Sequence, residues 1–114
     1  MKLKSNIKYH RGDSVPIEFI VNNVDLTGHL LRFVVKADRK ITSSRLIEIS
    51  TNESDKFYLE IINERSTKLI IILSPEDTAD LLPGQYHYDI YDYNINMTIV
   101  DGLFSIEADV QTPY

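Results

Sequence analysis

Apolar and polar residues alternate with a period of two along most of the chain, which is typical of half-buried β-strands. The clearest runs lie at 15–21, 29–36, 57–62 and 85–93. The run LIIIL at 69–73 is apolar on both faces, so we expect it to be a central or covered strand, because such a segment would promote aggregation if exposed. With a short run at 46–50 and a last run at about 97–108, the pattern predicts about seven strands.

Clusters of Asn, Asp, Ser and Gly separate the predicted strands and favour tight turns. One connection carries helix signals instead. Ser74 suits a helix N-cap, Pro75 suits the first helical position, and Leu82-Pro83-Gly84 ends the helix. The sequence therefore predicts an all-β fold, an immunoglobulin-like two-sheet Greek-key sandwich with one short helical turn near 75–81.

The length of 114 residues is that of a single domain. We predict a polar N-terminal lead-in at 1–13, the β-sandwich domain at 14–109 and a C-terminal tail at 110–114. The inward positions of the strands predict the core, which comprises Val15, Ile17, Phe19, Leu31, Phe33, Val35, Phe57, Leu59, Ile61, Leu69, Ile71, Leu73, Tyr86, Tyr88, Ile90, Phe104 and Ile106.

Charge and composition exclude several classes of function. A net charge of -5 argues against a general nucleic-acid binder, which usually carries a basic patch. The absence of cysteine excludes disulfides and thiol catalysis. No apolar run approaches the ~20 residues that a membrane span needs, and the N-terminus lacks the apolar core of a signal peptide. We therefore expect neither a nucleic-acid partner nor a membrane partner.

No group of residues has the spacing of a catalytic or cofactor site. His87 and Asp89 share a strand face and Ser105 lies on a later strand, but a nucleophile elbow is missing. Neither the three histidines nor the acidic residues near the last hairpin have the ligand spacing of a zinc or calcium site. We expect no enzymatic activity, no cofactor and no metal.

A partner interface is the functional site that the pattern favours. His87, Tyr91 and Tyr93 fall on the outward side of their strand, and tyrosines are enriched at protein interfaces. Ile70 and Ile72 add apolar side chains at outward positions of the neighbouring predicted strand. We predict that these five residues form the interface. The alternative is that edge loops cover the aromatic side chains, or that these are single exposed aromatics that contact no partner.

The segment LSPEDTADLLPGQYHYDI resembles the region before strand F of immunoglobulin-like domains. The resemblance implies a structural tyrosine corner at Tyr86, in which the hydroxyl returns to the upstream turn. It also places Tyr88 where antibody domains carry their second cysteine. Because cysteine and tryptophan are absent, the chain is not an antibody-type domain.

A second resemblance covers nearly the whole chain. The ordered segments GDSVPIEFIV, VDLTGHLLRFVVK, LIIILSPEDTADLLPGQYHYDI and DGLFSIEADV are similar to small β-sandwich modules of tailed-bacteriophage virion proteins. These modules include the N-terminal domain of upper-baseplate proteins and related tail, neck and head-attached proteins. The resemblance implies a non-enzymatic structural component of the virion, made in the host bacterial cytoplasm.

Such a component would dock to other virion proteins and to copies of itself. The alternative function is a carbohydrate- or receptor-binding module, with a host surface glycan stacked on His87, Tyr91 and Tyr93.

Overall fold

The computed structural model describes residues 3–38, 40, 42–63 and 65–108. Within them, a five-residue helix, α1, spans Pro75–Ala79, and it ends before the predicted limit at 81. No helix among these residues is long and apolar enough to cross a membrane. The strands are β1 Leu3–Lys4, β2 Ile7–His10, β3 Ile17–Asn22, β4 Leu31–Lys36, β5 Ile47–Ser50, β6 Phe57–Asn63, β7 Ser66–Ile71, β8 Gly84–Asp92 and β9 Met97–Glu107.

The strands form two sheets with the connectivity of an immunoglobulin-like sandwich. In the larger sheet β9, β8, β4 and β5 follow one another in antiparallel pairs, and β1 and β2 both run parallel to β9. The smaller sheet has the order β3-β7-β6. These two sets correspond to strands G, F, C, C′ and B, E, D of immunoglobulin-like domains. The predicted fold class is confirmed.

The N-terminal segment contributes two strands that the sequence pattern did not predict. β1 and β2 lie inside the predicted lead-in at 1–13, and the Ser5 N–H donates to the Asp101 carbonyl oxygen at 3.0 Å. Tyr9 on β2 is 5% exposed, with its ring 6.0 Å from that of Phe104. The sandwich therefore begins before residue 14. The predicted tail at 110–114 lies outside the described residues.

Aromatic rings occupy the centre of the core, where antibody domains carry a disulfide packed on a tryptophan. Phe19 of β3 stacks on Tyr88 of β8 across the two sheets, with ring centroids 5.9 Å apart. Phe33 of β4 lies 5.7 Å from Tyr88, and Phe104 completes the cluster. Packed aromatic rings thus occupy the space that the disulfide spans in antibody domains.

Most of the predicted core residues are buried, two are half-buried and two are exposed. Val15 is 60% exposed because it precedes β3, and Ile61 is 61% exposed because it lies on an edge strand. Leu59 and Tyr86 are half-buried at the rim of the core. The buried apolar residues that the pattern did not place in the core include Tyr9, Leu26, Ile47, Ile49, Leu81 and Ile99.

Hydrogen bonds fix the helical turn that leads into β8. Asp77 accepts from the backbone N–H of Ser74 at 2.8 Å and from the Ser74 hydroxyl at 3.1 Å. Lys56 donates to the same carboxylate oxygen at 2.8 Å. After the turn, the Tyr86 hydroxyl donates to the Leu82 carbonyl oxygen at 2.6 Å, which is the hydrogen bond of a tyrosine corner. These contacts orient the start of β8, the strand that carries Tyr91 and leads to Tyr93.

Candidate partner interface

The outer face of the larger sheet is formed by alternate residues of neighbouring strands. Cross-strand partners share a face, and Arg32 on β4 lies opposite Tyr91 on β8 and Ser50 on β5. In the next row Val34 lies between Asp89 and Glu48. Val34 is only 8% exposed, because these longer polar neighbours flank it. The face is therefore polar and aromatic at its surface.

At one end of this face, two tyrosines meet two arginines. The rings of Tyr91 and Tyr93 are 4.9 Å apart in an edge-to-face arrangement of 67°. The Arg32 guanidinium lies 5.0 Å from the centre of the Tyr93 ring, within cation–π range. We call Arg32, Arg45, Glu48, Tyr91 and Tyr93 the tyrosine–arginine cluster.

Glu48 holds both arginines of the cluster in place. It accepts from Arg32 at 3.2 Å and also forms an ion pair with Arg45. Hydrogen bonding to Glu48 raises the pKa of Arg45, and Tyr93 contributes a smaller effect in the same direction. Exposed ion pairs such as these add little to stability. These ion pairs instead hold the guanidinium groups in fixed positions beside the tyrosine rings.

His87 lies apart from this cluster. It is four residues from Tyr91 on an extended strand, which corresponds to about 13 Å. It lines a shallow depression of about 250 Å³, whose other lining residues include Lys36, Asp38 and Asp101. Its Nδ1 atom is buried and makes no hydrogen bond within the described part of the chain. The described residues contain no group of three or more His, Cys, Asp or Glu side chains able to hold a metal ion.

The two predicted isoleucines do not join the tyrosines, because Ile70 lies on the smaller sheet and Ile72 directly follows its strand β7. Ile70 is on β7, between Glu18 and Tyr58 of the flanking strands, and it is 3% exposed. The prediction that Ile70 contacts a partner is wrong, because neighbouring side chains of its own chain already bury it. Ile72 is half-buried. Of the five predicted residues, Tyr91 and Tyr93 are the two that the structure brings into contact.

The three residues considered for catalysis occupy successive rows of the outer face. Across β8 and β9, His87 lies opposite Leu103, Asp89 opposite Asp101, and Ser105 opposite Gln85. They therefore lie in three different rows, and no two of them are cross-strand partners, whereas a nucleophile and its base must lie within hydrogen-bond reach of each other.

A hydrogen bond between a histidine and a buried aspartate closes the end of β8 beside the cluster. Asp92 is fully buried, and its carboxylate lies 2.7 Å from Nδ1 of His29 and accepts from the Asn94 N–H at 2.8 Å. A buried charge needs such partners. The pair holds the β8–β9 turn against the loop before β4, which fixes the position of Tyr93 between them.

Sequence reasoning did not identify the charged members of the tyrosine–arginine cluster. Arg32 lies on β4, Arg45 in the loop before β5 and Glu48 on β5, all far from Tyr91 in sequence. The available signal was Arg32 at an outward position of a strand. Its placement opposite Tyr91 requires the register of two strands that are distant in the chain.

No protein-family model matches the chain, and no curated protein matches it. Solved structures do align along most of its length. One is the extracellular domain of the voltage-gated sodium channel beta4 subunit, described as a parallel homodimer, at TM-score 0.38 and 15% identity over 96% of both chains.

The NK cell receptor Nkp44 aligns at TM-score 0.39 and 12% identity, over 96% of this chain and 100% of the receptor chain. The ZIG-8 IG1 homodimer aligns at TM-score 0.37 and 11% identity, over 95% of this chain and 81% of its own. The chain's own strand order, with β3, β7 and β6 packed on β9, β8, β4 and β5, identifies its fold as immunoglobulin-like.

Proposed function

We propose that this chain is a protein–protein docking module and that the tyrosine–arginine cluster is its contact surface. The observation that carries the proposal is the contact between Arg32 and the exposed ring of Tyr93, at 5.0 Å. Tyrosine and arginine dominate the energetics of protein interfaces, because they bury a large area and keep a polar end for hydrogen bonds.

The side chains of the cluster are held in fixed orientations, which favours binding. Glu48 and the Tyr93 ring hold Arg32 in one orientation before any partner arrives. Less side-chain entropy is then lost on association, since immobilising a flexible side chain costs about 0.5–1.5 kcal/mol. A partner that covers the cluster and contributes a carboxylate or a carbonyl edge would pair with the arginines and pack on the tyrosines.

The proposed setting is the virion of a tailed bacteriophage, in a tail, baseplate, neck or head-attached position. The support is the resemblance of GDSVPIEFIV, VDLTGHLLRFVVK and DGLFSIEADV to segments of such modules. The proposed partners are other virion proteins and copies of this chain. Mass spectrometry of purified particles tests the setting, and absence of the chain from them would refute it.

A glycan-stacking platform is not favoured by the geometry of the tyrosines. The rings of Tyr91 and Tyr93 meet at 67°, and the guanidinium of Arg32 lies over Tyr93. A sugar stacks on an open, flat ring face. His87, the third member of that predicted platform, lies in the separate depression described above.

Site-specific crosslinking tests the docking surface itself. A photoreactive phenylalanine at Tyr93 is expected to crosslink to a protein in particles or in producing cells, and the same residue at Ile20, an exposed position of β3 on the opposite sheet, serves as the matched control. The combined change Arg32→Ala and Tyr93→Ala is expected to reduce incorporation or binding at least about tenfold. Equal crosslinking from both sites, or undiminished binding of the double variant, would refute the proposed surface.

A further inference from the structure

The strand β6 is an open edge of the smaller sheet. It pairs with β7 on one side, and within the described residues no strand lies on its other side. An edge strand presents unpaired backbone N–H and C=O groups that can join another strand. The opposite edge, β3, is partly blocked, because Pro16 just before it has no N–H to donate.

The hydrogen-bond pattern shows which backbone groups of β6 point outward. The Ile72 N–H donates to the Lys56 carbonyl oxygen at 2.7 Å, and bonded and non-bonded pairs alternate along an antiparallel ladder. Tyr58 and Glu60 therefore bond to β7. The N–H and C=O groups of Leu59 and Ile61 point to the open edge.

The side chains along this edge are unusually apolar for solvent-exposed positions. Ile61 is 61% exposed and Ile62 is 48% exposed, while Leu59 and Tyr58 are half-buried. Protected edges usually carry lysine or proline, and the segment FYLEIIN contains neither. Leu59 and Ile61 also line an open cleft of about 600 Å³ between β6 and the loops at 27–30 and 51–54, so the apolar surface continues beyond the edge.

We propose that β6 pairs in antiparallel orientation with β6 of a second copy of this chain, about a two-fold axis that passes beside Glu60. In this register the outward groups of Leu59 bond to those of Ile61 of the second copy, and the reverse pair forms by symmetry. On the opposite face Tyr58 packs on Ile62 of the second copy. The two three-stranded sheets become one continuous six-stranded sheet.

This register follows from matching the exposed residues. With the axis at Ile61, the charged Glu60 would lie opposite the apolar Ile62. With the axis at Leu59, Ile62 would lie beyond the paired strands and stay exposed. With the axis at Glu60 every exposed apolar residue gains an apolar partner. The unfavourable contact is between the two Glu60 carboxylates, and each lies beside Lys68 of its own chain.

Sedimentation velocity across the micromolar to low millimolar range tests the dimer. The unmodified chain is expected to show a concentration-dependent monomer–dimer equilibrium. Ile61→Lys is expected to weaken it at least about tenfold, because apolar burial is lost and two lysines approach each other. Glu60→Gln is expected to tighten it about threefold by removing the like-charge contact. Ile20→Lys, at a 52% exposed position on the other edge, should leave it unchanged.

The register has an independent test, because the chain contains no cysteine. Glu60→Cys places two sulfurs across a non-hydrogen-bonded antiparallel pair, whose Cα separation of about 4.5 Å suits a disulfide. This variant is expected to form a covalent dimer on mild oxidation, whereas Ile20→Cys and Tyr58→Cys remain mostly monomeric.

Three results would overturn the proposal. The first is that the unmodified chain stays monomeric at every concentration. The second is that the Ile61→Lys variant keeps an unchanged circular dichroism spectrum and dimerises as tightly as the unmodified chain. The third is that all three cysteine variants crosslink equally. Arg32→Ala should not affect this dimer. Failure of the β6 pairing would therefore leave the proposed docking surface on the larger sheet untouched.

Discussion

The hydroxyl of Tyr88 donates to the carbonyl oxygen of Ser5 at 2.5 Å, across the junction between β1 and β2. Tyr88 is 3% exposed and lies at the centre of the aromatic core, so its ring is held by packing while its hydroxyl reaches the N-terminal segment. Burial raises the pKa of Tyr88, although the bond to Ser5 acts in the opposite direction. The contact joins the core to the first strands of the chain.

Tyr88→Phe removes this hydrogen bond and keeps the ring. We expect a loss of about 0.5–1.5 kcal/mol in the free energy of unfolding, because the Ser5 carbonyl loses its donor. Urea denaturation measures the loss, and hydrogen exchange should show faster exchange of the Ser5 N–H. Tyr58→Phe, on the other sheet, is the control. Unchanged exchange at Ser5 would show that the hydroxyl does not hold the segment.

Gly102→Ala is expected to displace the same segment from the other side. A Cβ atom at Gly102 would lie 2.1 Å from the carbonyl oxygen of Ser5 and 2.8 Å from its carbonyl carbon. Backbone atoms cannot move aside as a flexible side chain can, so we expect a loss of about 1–3 kcal/mol. Thermal unfolding measures it, with Thr98→Ala on the same strand as control. A Gly102→Ala protein as stable as that control would contradict the close approach.

Much of the fold could be predicted from the sequence because it depends on local patterns. The period of two in β3, β4 and β8 predicted their inward faces, and Ser74 and Pro75 predicted the start of α1. The pairing of β1 and β2 with β9 could not be predicted in this way. It joins residues from the two ends of the chain. The apolar alternation in β2 consists of Ile7 and Tyr9 alone, which is too short to indicate a strand in a segment that also contains lysines.

The candidate site was predictable only in part, for the same reason. The outward direction of Tyr91 and Tyr93 follows from strand alternation alone. The contact of Tyr93 with Arg32 depends on the register between β4 and β8. The burial of Ile70 depends on the side chains of two flanking strands, because β7 is the central strand of its sheet. Alternation along a strand predicts which face of the sheet a side chain lies on. Its exposure also depends on the side chains of the flanking strands.

His29→Ala should leave the buried Asp92 carboxylate without its hydrogen bond to His29. We expect a loss of about 1–3 kcal/mol in the free energy of unfolding, since desolvated charges depend on their hydrogen bonds. His10→Ala is a matched control, because its pair with Glu107 is 3.4 Å long and exposed on both sides. Chemical denaturation of both variants measures the difference. Equal losses would show that burial of Asp92 gives the pair no added importance.

Stability is expected to fall in acid through Asp77. Burial opposes ionisation of this carboxylate, but hydrogen bonds from Lys56 and Ser74 outweigh it, so the pKa of Asp77 lies below its ordinary value of 3.8. The folded state thus releases this proton more readily than the unfolded state. The stabilisation is fully present above pH 3.8 and is lost as the pH falls through the lower folded value.

Asp77→Asn should therefore lower stability near neutral pH by about 1 kcal/mol, the usual effect of losing a helix cap. It should also flatten the acid limb of a plot of unfolding free energy against pH. Asp55→Asn, in an exposed turn, serves as the control. A variant with an acid limb as steep as that of the unmodified chain would assign the acid sensitivity to other groups.

At alkaline pH the corresponding group is Tyr9. Burial, followed by the nearby Asp13 and Asp77 carboxylates, raises the pKa of Tyr9 from 10.0 to about 12. The folded state therefore keeps this proton when the unfolded state has lost it. The resulting stabilisation is complete below pH 10.0 and is lost as the pH rises toward about 12.

A difference titration of tyrosinate absorbance between the unmodified chain and Tyr9→Phe is expected to show one phenol that ionises near pH 12. The same substitution removes the donor to the carbonyl oxygens of Asp13 and Val15, at 3.0 and 3.1 Å, so the turn that leads into β3 should exchange its amide hydrogens faster. Ionisation near pH 10.0 would mean that the Tyr9 hydroxyl faces water. That result would contradict the packing of Tyr9, and with it of β2, against the core.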